Sequence, residues 1–421
     1  MSDKTSRLPG FHRLNRHERL AQLVEVSRLD AAHANHLADA GAALGAVADN
    51  LAENVIGTLN IPLALATNLI VDGVEQLVTM ATEESSVVAA VCNGARQCRV
   101  SGGLRTSSTG PLTIAQVQID GLSDPFQARA AVYERRAEIE AICAEVDPML
   151  VELGGGLRDI ELRVLEAAPP MLVLHLIVDT RDAMGANAVN SMAEALAPRL
   201  AAWTGGKVGL RILSNLADRR LVRARAIWPC NEIGGADVRD GILRAAAFAG
   251  VDPYRATTHN KGIMNGVTAV VLATGNDTRA VEAGAHAYAA RRGSYGPLTR
   301  WEVTAEGDLA GSLEMPLSVG IVGGATRVHP TAQACLAIMG IETGDRLARV
   351  AGAVGLVQNF SALKALATEG IQRGHMSLHA KNLAIAAGAE GAEIEAVAAR
   401  MVEEGRIRAD CAAAILKDLR D

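Results

Sequence analysis

Lys261 has the setting in this chain that most strongly suggests chemistry. The sequence predicts a polar loop over residues 252–260 and a strongly apolar helix from Ile263 to Leu272. A lysine at such a border either extends to water or is held inside by carboxylates. Asn265, one turn on, shares its helix face, and Asp277 begins the next helix and could turn back towards the ammonium. A lysine held by carboxylates in a dry site stabilises a developing oxyanion, whereas a surface lysine beside a helix start does not.

Two adjacent glutamates, Glu83 and Glu84, stand where a predicted strand gives way to a helix that runs to about Arg99. The helix dipole favours ionised carboxylates in a first turn, so these residues can serve only as caps. A buried glutamate would instead have a raised pKa and could donate a proton. The segment alone leaves both interpretations open.

Two glycine clusters are candidates for binding a nucleotide. Asp182–Asn187 follows a strand and opens a helix, where Gly185 would let backbone amides approach a pyrophosphate. Gly320–Thr326 could wrap a nucleotide or a pantetheine chain. Both patterns are also typical of plain turns, and the missing GxGxxG pattern argues against a Rossmann fold.

His375 and His379 share a helix face at a spacing of four residues. The glutamate of the HExxH zinc pattern is missing and no third ligand is evident, so we predict no metal site. The two histidines either cap or pack a helix, or one acts as an acid on the tail, because histidine titrates near neutrality.

Composition narrows the classes of function. The net charge of −6 and the pI near 6.0 offer no basic surface for nucleic acid. The sequence has no apolar run of the roughly 20 residues that span a bilayer, and no signal-peptide core. The six cysteines include no CxxC pair, so we expect reduced thiols in a cytoplasmic protein.

The middle of the chain has the order β-α-β-β-α-β of a ferredoxin-like unit. Its predicted elements are a strand at Leu112–Ile119, a helix at Pro125–Glu145, strands at Arg158–Leu165 and Met171–Asp179, a helix to Trp203 and a strand at Lys207–Leu213. Elsewhere the patterns predict helices near residues 15–27, 30–39 and 44–53, a strand at Gln76–Ala81 and a hairpin at Leu298–Glu314. Residues 55–66 are apolar but interrupted by glycine and proline, which indicates irregular structure or short strands.

We therefore predict an α+β fold with three parts. A helix-rich large domain comprises residues 1–108 and 219–370, and it binds substrate and coenzyme A. A ferredoxin-like, nucleotide-binding small domain is inserted at residues 109–218. Residues 371–421 form a C-terminal helical flap.

Several segments together carry a family resemblance: Glu53–Thr58, Glu83–Ser86, Asp182–Asn187, Leu213–Asp218, Thr258–Gly266, Ala273–Asp277, Gly320–Thr326 and Gly370–His375. In this order they closely resemble the soluble bacterial (class II) form of 3-hydroxy-3-methylglutaryl-coenzyme A reductase, over essentially the whole chain. The resemblance implies two hydride steps at one site. A thioester becomes a thiohemiacetal, coenzyme A leaves, and the bound aldehyde is reduced to mevalonate.

The resemblance also implies a role for each of four residues. Lys261 stabilises the oxyanion, and Glu84 supplies a proton to the aldehyde oxygen. Asp277 links the two and tunes their proton affinity. His375 protonates the departing coenzyme A thiolate.

Further binding residues follow from the same resemblance. Ser86, Arg255 and Asn265 would hold the substrate, with Arg255 as a bidentate carboxylate partner. The residues that would bind the cofactor are Asp147, Asp182, Met184, Gly185, Ala186, Asn187 and Asn190. A carboxylate at Asp147 would accept from a ribose 2′-hydroxyl and repel a 2′-phosphate, which predicts NAD(H) in preference to NADP(H). The family further implies a homodimer with the active site between subunits, covered by the tail that carries His375.

The chain departs from the family pattern at two points. Relatives usually have proline where Ser85 stands, and its loss could loosen Glu84, although serine can still cap a helix. His12 stands where some relatives carry a basic residue facing coenzyme A phosphate, and Arg13 could take its place.

Two other functions fit the same fold. One is a catalytically silent protein that binds acyl-coenzyme A or a nucleotide, and the other is a reductase of a different branched acyl-coenzyme A. The presence of all four reactive residues favours the enzyme. The same residues serve mevalonate synthesis and breakdown, because a catalyst cannot alter an equilibrium.

Overall fold

The computed structural model describes residues 6–14, 16–27, 29–38, 59–167, 169–368 and 371–420. The helix expected near residues 44–53 and the segment Glu53–Thr58 lie outside these ranges. The strands are β1 (Leu63–Val71), β2 (Val74–Ala81), β3 (Arg105–Ser108), β4 (Leu112–Asp120), β5 (Gly156–Leu165), β6 (Met171–Asp179), β7 (Lys207–Leu213), β8 (Leu221–Trp228), β9 (Thr299–Val303) and β10 (Leu309–Pro316).

Helices account for most of the remaining described chain. They are α1 (Arg16–Val26), α2 (Ala31–Ala38), α3 (Val87–Cys98), α4 (Pro125–Tyr133), α5 (Arg136–Val146), α6 (Pro148–Glu152), α7 (Ala186–Thr204), α8 (Cys230–Ile233), α9 (Ala236–Val251), α10 (Pro253–Ala273), α11 (Thr278–Ala289), α12 (Gly324–Val328), α13 (Pro330–Met339), α14 (Gly344–Ala367), α15 (Ile371–Ala386), α16 (Ala392–Glu403) and α17 (Ala409–Arg420). The α+β class expected from the sequence is confirmed.

The sheet in the predicted small domain has the strand order β5-β6-β4-β7, and all of its neighbouring strands are antiparallel. With the helices between its strands, this is the ferredoxin-like arrangement that the sequence predicts. Alternate residues of β6, such as Leu174 and Leu176, pack against Met192 and Leu196 of α7. The domain boundaries at residues 108/109 and 218/219 stay predictions.

The single helix expected at Pro125–Glu145 is wrong, because the chain forms α4 and α5 with a break at Arg135. This residue has non-helical angles (φ −103°, ψ 22°). Its guanidinium donates to the Ala131 carbonyl at 2.7 Å and lies over the Trp203 ring. The break is thus stabilised by a basic side chain that satisfies a carbonyl at the end of α4.

The other four-stranded sheet, in the order β3-β8-β10-β9, packs on the central helix α14. The hairpin expected at Leu298–Glu314 is present as β9 and β10, whereas β8 was not expected from the sequence. Of the described helices, α14 alone is long and apolar enough to cross a bilayer. In its apolar 18-residue stretch, 67% is buried inside the protein, as in a core helix.

Helix α10, which carries Lys261, crosses α14 at close range because glycines face the crossing. A Cβ at Gly266 would lie 3.0 Å from the Cβ of Gln358, and one at Gly355 would lie 2.7 Å from a methyl of Val267. Helices can approach this closely only where side chains are absent. The position of α10 is therefore fixed by packing along its length.

The polar loop expected before Lys261 is also wrong, since α10 begins at Pro253. Asp252 caps the helix by accepting from the Arg255 amide at 2.8 Å, and proline suits the first helical position. The polar residues His259 and Asn260 are buried on the inner side of the helix. These residues are polar because they form hydrogen bonds inside the protein, not because they belong to a loop.

The C-terminal segment is helical, as expected. Helices α15, α16 and α17 enclose a core of their own, which includes Ala380, Val397, Met401 and Ile415.

Candidate active site

The structure brings Glu84 and Lys261 together, although 177 positions separate them in the chain. The Lys261 ammonium donates to Glu84 Oε2 at 2.7 Å, and the Asn265 amide donates to Oε1 at 3.2 Å. Lys261 and Asn265 reach the same carboxylate because they lie one turn apart on α10. Glu84 stands between β2 and α3, so the pair joins the hairpin to the central helices.

Within one chain this pair is open to solvent. The side chains of Lys261 and Glu84 are 58% and 36% exposed. Water and salt weaken the attraction between charges in such a position. The dry cavity expected around the lysine is therefore not formed by this chain's described residues alone.

Asp277 caps α11 and does not contact the pair within the described part of the chain. Its Oδ1 accepts from the backbone amides of Arg279 and Ala280 at 2.9 and 3.1 Å, and from the Arg279 side chain at 3.2 Å. Partial burial raises the pKa of Asp277, but the hydrogen bonds from Ala280 and Arg279 outweigh burial and hold the pKa below its ordinary value. Asp277 is therefore ionised at neutral pH.

The two glycine clusters meet at one junction, together with the residue before Asp277. The Asn276 side chain accepts from the Gly320 amide at 2.8 Å, and the Asp182 carbonyl accepts from the Ile321 amide at 2.8 Å. A Cβ at Gly320 would lie only 2.5 Å from the Met184 nitrogen, so glycine is required there. Three sequence motifs thus form one structural unit.

A buried arginine that the sequence analysis missed holds this junction. Arg220 is 4% exposed and donates to the carbonyls of Ala183 and Met184 at 3.1 and 3.3 Å, and to the Val319 carbonyl. Burial lowers the pKa of Arg220 to about 10, which still leaves it charged at neutral pH. No local pattern marks this arginine, because its acceptors come from two distant segments.

The residues at the start of α7 are arranged as an anion site requires. Gly185 has φ 99°, and a Cβ there would collide with Thr180. Ala186 and Asn187 form the first turn of a 19-residue helix, and Asn187 is exposed. Amides at a helix N-terminus lack intrahelical acceptors and favour phosphate.

Other candidates for binding the cofactor have structural partners. Asp182 accepts from the Gly344 amide at 2.8 Å, and Asn190 accepts from the Leu213 amide at 2.8 Å. Asp147 caps α6 by accepting from the Leu150 amide at 2.9 Å. Asp182 and Asn190 thus join distant segments of the fold, whereas the Asp147 bond is a local helix cap.

The substrate candidates are placed less uniformly. Ser86 stands at the cap position of α3 with φ 71°, and its side chain makes no capping bond. Arg255 is half-buried and forms no ion pair with any described residue. His375 lies within α15, but its side chain is outside the described part of the structure.

The cysteines and potential metal ligands offer no alternative centre. All six cysteines are free, and burial raises the pKa of Cys98 and Cys143 to about 12 and that of Cys335 to about 11. Among the described residues, no group of three or more His, Cys, Asp or Glu side chains could hold a metal ion.

Comparison with known proteins gives consistent matches over the whole chain. A family model described as hydroxymethylglutaryl-coenzyme A reductase matches residues 15–380. The 3-hydroxy-3-methylglutaryl-coenzyme A reductase of Archaeoglobus fulgidus is 53% identical over 417 residues, which cover 99% of this chain and 95% of that protein. A probable enzyme of the same name from Borreliella burgdorferi is 35% identical and covers 79% of this chain and 77% of its own.

Solved structures of the same reductase also match this chain. A structure of this reductase from Streptococcus pneumoniae has a TM-score of 0.84 and 36% identity, and covers 98% of this chain and 99% of its own. A structure of the class II enzyme from the same organism, bound to NADPH in open conformations, has a TM-score of 0.82 and 36% identity. It covers 97% of this chain and 100% of its own.

Proposed function

Since the chain belongs to the hydroxymethylglutaryl-coenzyme A reductase family, we propose that it interconverts 3-hydroxy-3-methylglutaryl-coenzyme A with mevalonate and coenzyme A, using NAD(H). The observation that carries the proposal is the 2.7 Å contact between Lys261 and Glu84. It joins a basic side chain to an acidic one at one point on the surface of the fold.

Lys261 is the residue proposed to stabilise negative charge on the substrate. When the carbonyl carbon of the thioester accepts electrons, its oxygen becomes an oxyanion, and an ammonium positioned beforehand stabilises that charge without reorganising. Asn265 shares Glu84 with the lysine and so fixes the direction of both groups. Glu84 then supplies the proton to the aldehyde oxygen in the second reduction.

Asp277 and His375 complete the proposed set. Asp277 is to link Lys261 and Glu84, and for this it has to leave Arg279, whose side chain is 90% exposed. An ion pair that exposed contributes at most about 1 kcal/mol and the cap of α11 about 1 kcal/mol more, so releasing both costs about 2 kcal/mol. His375 on α15 is to protonate the coenzyme A thiolate, which would otherwise add back to the aldehyde.

A nicotinamide cofactor supplies the hydride when bound. The start of α7 fits such a group, because its amides can hold phosphate and Asn187 is exposed beside them. Gly323 and Gly324 both have positive φ and open space where a Cβ would stand, on a loop bridged to the Asp182 segment. Met184, Gly185, Ala186 and Asn187 would hold the cofactor directly, while Asp182 and Asn190 would position them.

Ser86 and Arg255 are proposed to bind the hydroxymethylglutaryl group. Arg255 has no carboxylate partner among the described residues, which leaves its guanidinium available for a bidentate bond to a substrate carboxylate. The Ser86 hydroxyl is likewise not used by the helix it precedes.

We further propose that the active site forms between two subunits of a homodimer in the cytoplasm. The exposure of Lys261 supports this, because oxyanion stabilisation is strongest where water is excluded. A second subunit and the tail helix α15 would provide that exclusion. A silent binding protein of the same fold would have no use for the Lys261–Glu84 contact.

The direct test is absorbance at the nicotinamide band with pure protein, NAD, coenzyme A and mevalonate. Formation of reduced cofactor that depends on both coenzyme A and mevalonate is expected. The proposal is wrong if coenzyme A binds but no turnover occurs in either direction, with either NAD or NADP. The protein would then be a silent binding protein.

Cofactor preference has its own test in Asp147→Ala. Loss of the carboxylate should lower the ratio of kcat/KM for NAD over NADP, because 2′-phosphate would no longer be repelled. Asp147→Asn is the matched variant, since it keeps an acceptor for the Leu150 amide and removes only the charge. An unchanged ratio in both would mean that another residue reads the ribose.

A further inference from the structure

A cleft lies on the outer face of the β3-β8-β10-β9 sheet, away from Glu84 and Lys261. It has a volume of about 840 Å³. Its lining contains one carboxylate, Glu314, and six arginines, which are Arg105, Arg223, Arg225, Arg291, Arg292 and Arg300. The whole chain has a net charge of −6, so this positive cleft is opposite in sign to the protein.

The strand register sets the arginines in a row. Arg105 of β3 is directly opposite Arg225 of β8, which is opposite Ser312 of β10, which in turn is opposite Arg300 of β9. Like charges directly opposite each other destabilise a sheet. Within the row no carboxylate offsets this repulsion, and only Arg300, at its end, pairs with a carboxylate, Glu302, at 3.4 Å.

The single acidic residue of the cleft is already engaged. Glu314 accepts from Arg223 at 2.7 Å, from Arg291 at 3.5 Å and from the Tyr288 hydroxyl. Among the described residues, Arg105, Arg225 and Arg292 have no ion-pair partner. Three guanidinium groups therefore face the same space without a counter-charge from the described chain.

The chemistry of the lining selects the ligand. Guanidinium groups bind phosphate through paired, charge-assisted hydrogen bonds. Hydroxyls of Ser107, Ser294 and Ser312 add further donors. No aromatic side chain lines the cleft, so nothing there would stack on bases as a nucleic-acid groove does. The volume is that of a small-molecule site.

We propose that this cleft binds a small polyanion with two or more phosphate groups, at a site separate from that of the reduction. It borders the inner side of α10, where Asn260 donates to the Gly296 carbonyl at 2.9 Å and accepts from the Leu298 amide at 3.0 Å. Lys261 lies on the other side of that helix, with Glu84. No residue lining the cleft contacts the Glu84–Lys261 pair.

Calorimetric titration of the full chain with inorganic tripolyphosphate tests the site. Saturable binding is expected, with one site per chain and weaker affinity as ionic strength rises. Replacing two charged donors in Arg105→Gln/Arg225→Gln should weaken binding by about tenfold or more. The control is Arg199→Gln, an exposed arginine of α7 outside the cleft, which should bind as the unmodified chain does.

Three results would overturn the proposal. The first is no saturable binding, as when a second copy of the chain covers the cleft. The second is equal affinity in the double variant and in the control, with circular dichroism showing both folded. The third is competition between tripolyphosphate and coenzyme A or the nicotinamide nucleotide, or a raised KM for either in the double variant, because these arginines would then belong to the reaction site. The first and second results would leave the proposed reductase activity untouched.

Discussion

The two sides of helix α10 are held in opposite ways. On the outer side, Lys261 bonds to Glu84 while 58% of its side chain meets solvent. On the inner side, His259 and Asn260 are 2% and 0% exposed, and they bond to Thr299 and to the backbone of Gly296 and Leu298. Polar contacts exposed to water can be exchanged at little cost, whereas buried ones cannot. The helix thus has one side free to engage a substrate and one side that fixes its position.

The inner side consists of a connected network. The Thr299 hydroxyl donates to Asn359 Oδ1 at 2.9 Å, and the Trp301 indole donates to the same oxygen at 3.0 Å. Because the Thr299 proton is used in this way, Thr299 Oγ1 accepts from His259 Nε2, 2.6 Å away. The comparison predicts that changes on the outer side alter activity and that changes on the inner side alter stability.

The largest effect is expected for Lys261→Ala. Loss of the ammonium removes the stabilisation of the oxyanion, so turnover should fall by at least about a thousandfold. The free energy of unfolding should change by less than about 1 kcal/mol, because the ion pair is exposed. Steady-state rates and denaturant unfolding measure the two quantities. Lys207→Ala, at an exposed position on β7, is the control, and near-normal rates for Lys261→Ala would remove the lysine from the mechanism.

The next largest effect is expected for Asn359→Leu. Leucine has a similar volume but no acceptor, so the buried Thr299 hydroxyl loses its partner and the Trp301 indole keeps only its longer bond to Thr299 Oγ1 at 3.3 Å. At about 2 kcal/mol for an unsatisfied donor and less for a weakened one, unfolding should become easier by about 3 kcal/mol. Turnover below the melting temperature should stay near normal. Asn93→Leu on the exposed side of α3 is the control, and equal stability of the two variants would refute the role of the network.

A pH effect of intermediate size is expected from His259. Burial, with the positive charge of Arg255, lowers the pKa of His259 from 6.5 to about 4. Between these values the unfolded chain binds more protons than the folded one, so stability falls as pH is lowered. The shift predicts a loss of about 2 kcal/mol between about pH 7 and about pH 5.

The change in unfolding free energy with pH measures this contribution. His259→Gln cannot titrate, so its stability should change less over the same interval, by the same 2 kcal/mol or so. Parallel pH profiles for the variant and the unmodified chain would show that the histidine is not held neutral.

The smallest effect is expected for Arg279→Ala, in the first turn of α11 beside Asp277. The arginine side chain is 90% exposed, so its removal should change the unfolding free energy by less than about 0.5 kcal/mol. Without this cation the pKa of Asp277 should rise towards its ordinary value. Denaturant unfolding and a titration followed by NMR would check both statements. A destabilisation of several kcal/mol would mean that Asp277 is not free to leave this partner.

The amino-acid pattern predicts contacts that depend on local spacing. Alternation of apolar and polar residues identifies β4, because a period of two marks a half-buried strand. The four-residue spacing of Lys261 and Asn265 was enough to place both on one face of a helix. Their shared partner Glu84 came from the family resemblance, and the catalytic roles stay predictions.

Other features depend on pairings between distant segments, which no local pattern contains. The expected loop at residues 252–260 was wrong because its polar residues are satisfied by Gly296, Leu298 and Thr299, far along the chain. The partners of Arg220 lie in two separate loops. The row of arginines exists only through the register of four strands. Asp277 was expected to face the lysine, yet in the single chain its local capping bonds dominate.

The lack of a side chain at Gly320 has a consequence for attempts to redesign the enzyme. Because the backbone at 320 touches the backbone at Met184, and Asn276 anchors the same loop, no one of these three segments can change shape alone. Transplanting a single loop from a relative, for instance to alter cofactor choice, would disturb the other two. A successful graft would have to carry all three segments together. For the same reason, we expect the sequences of the three segments to change together among natural relatives.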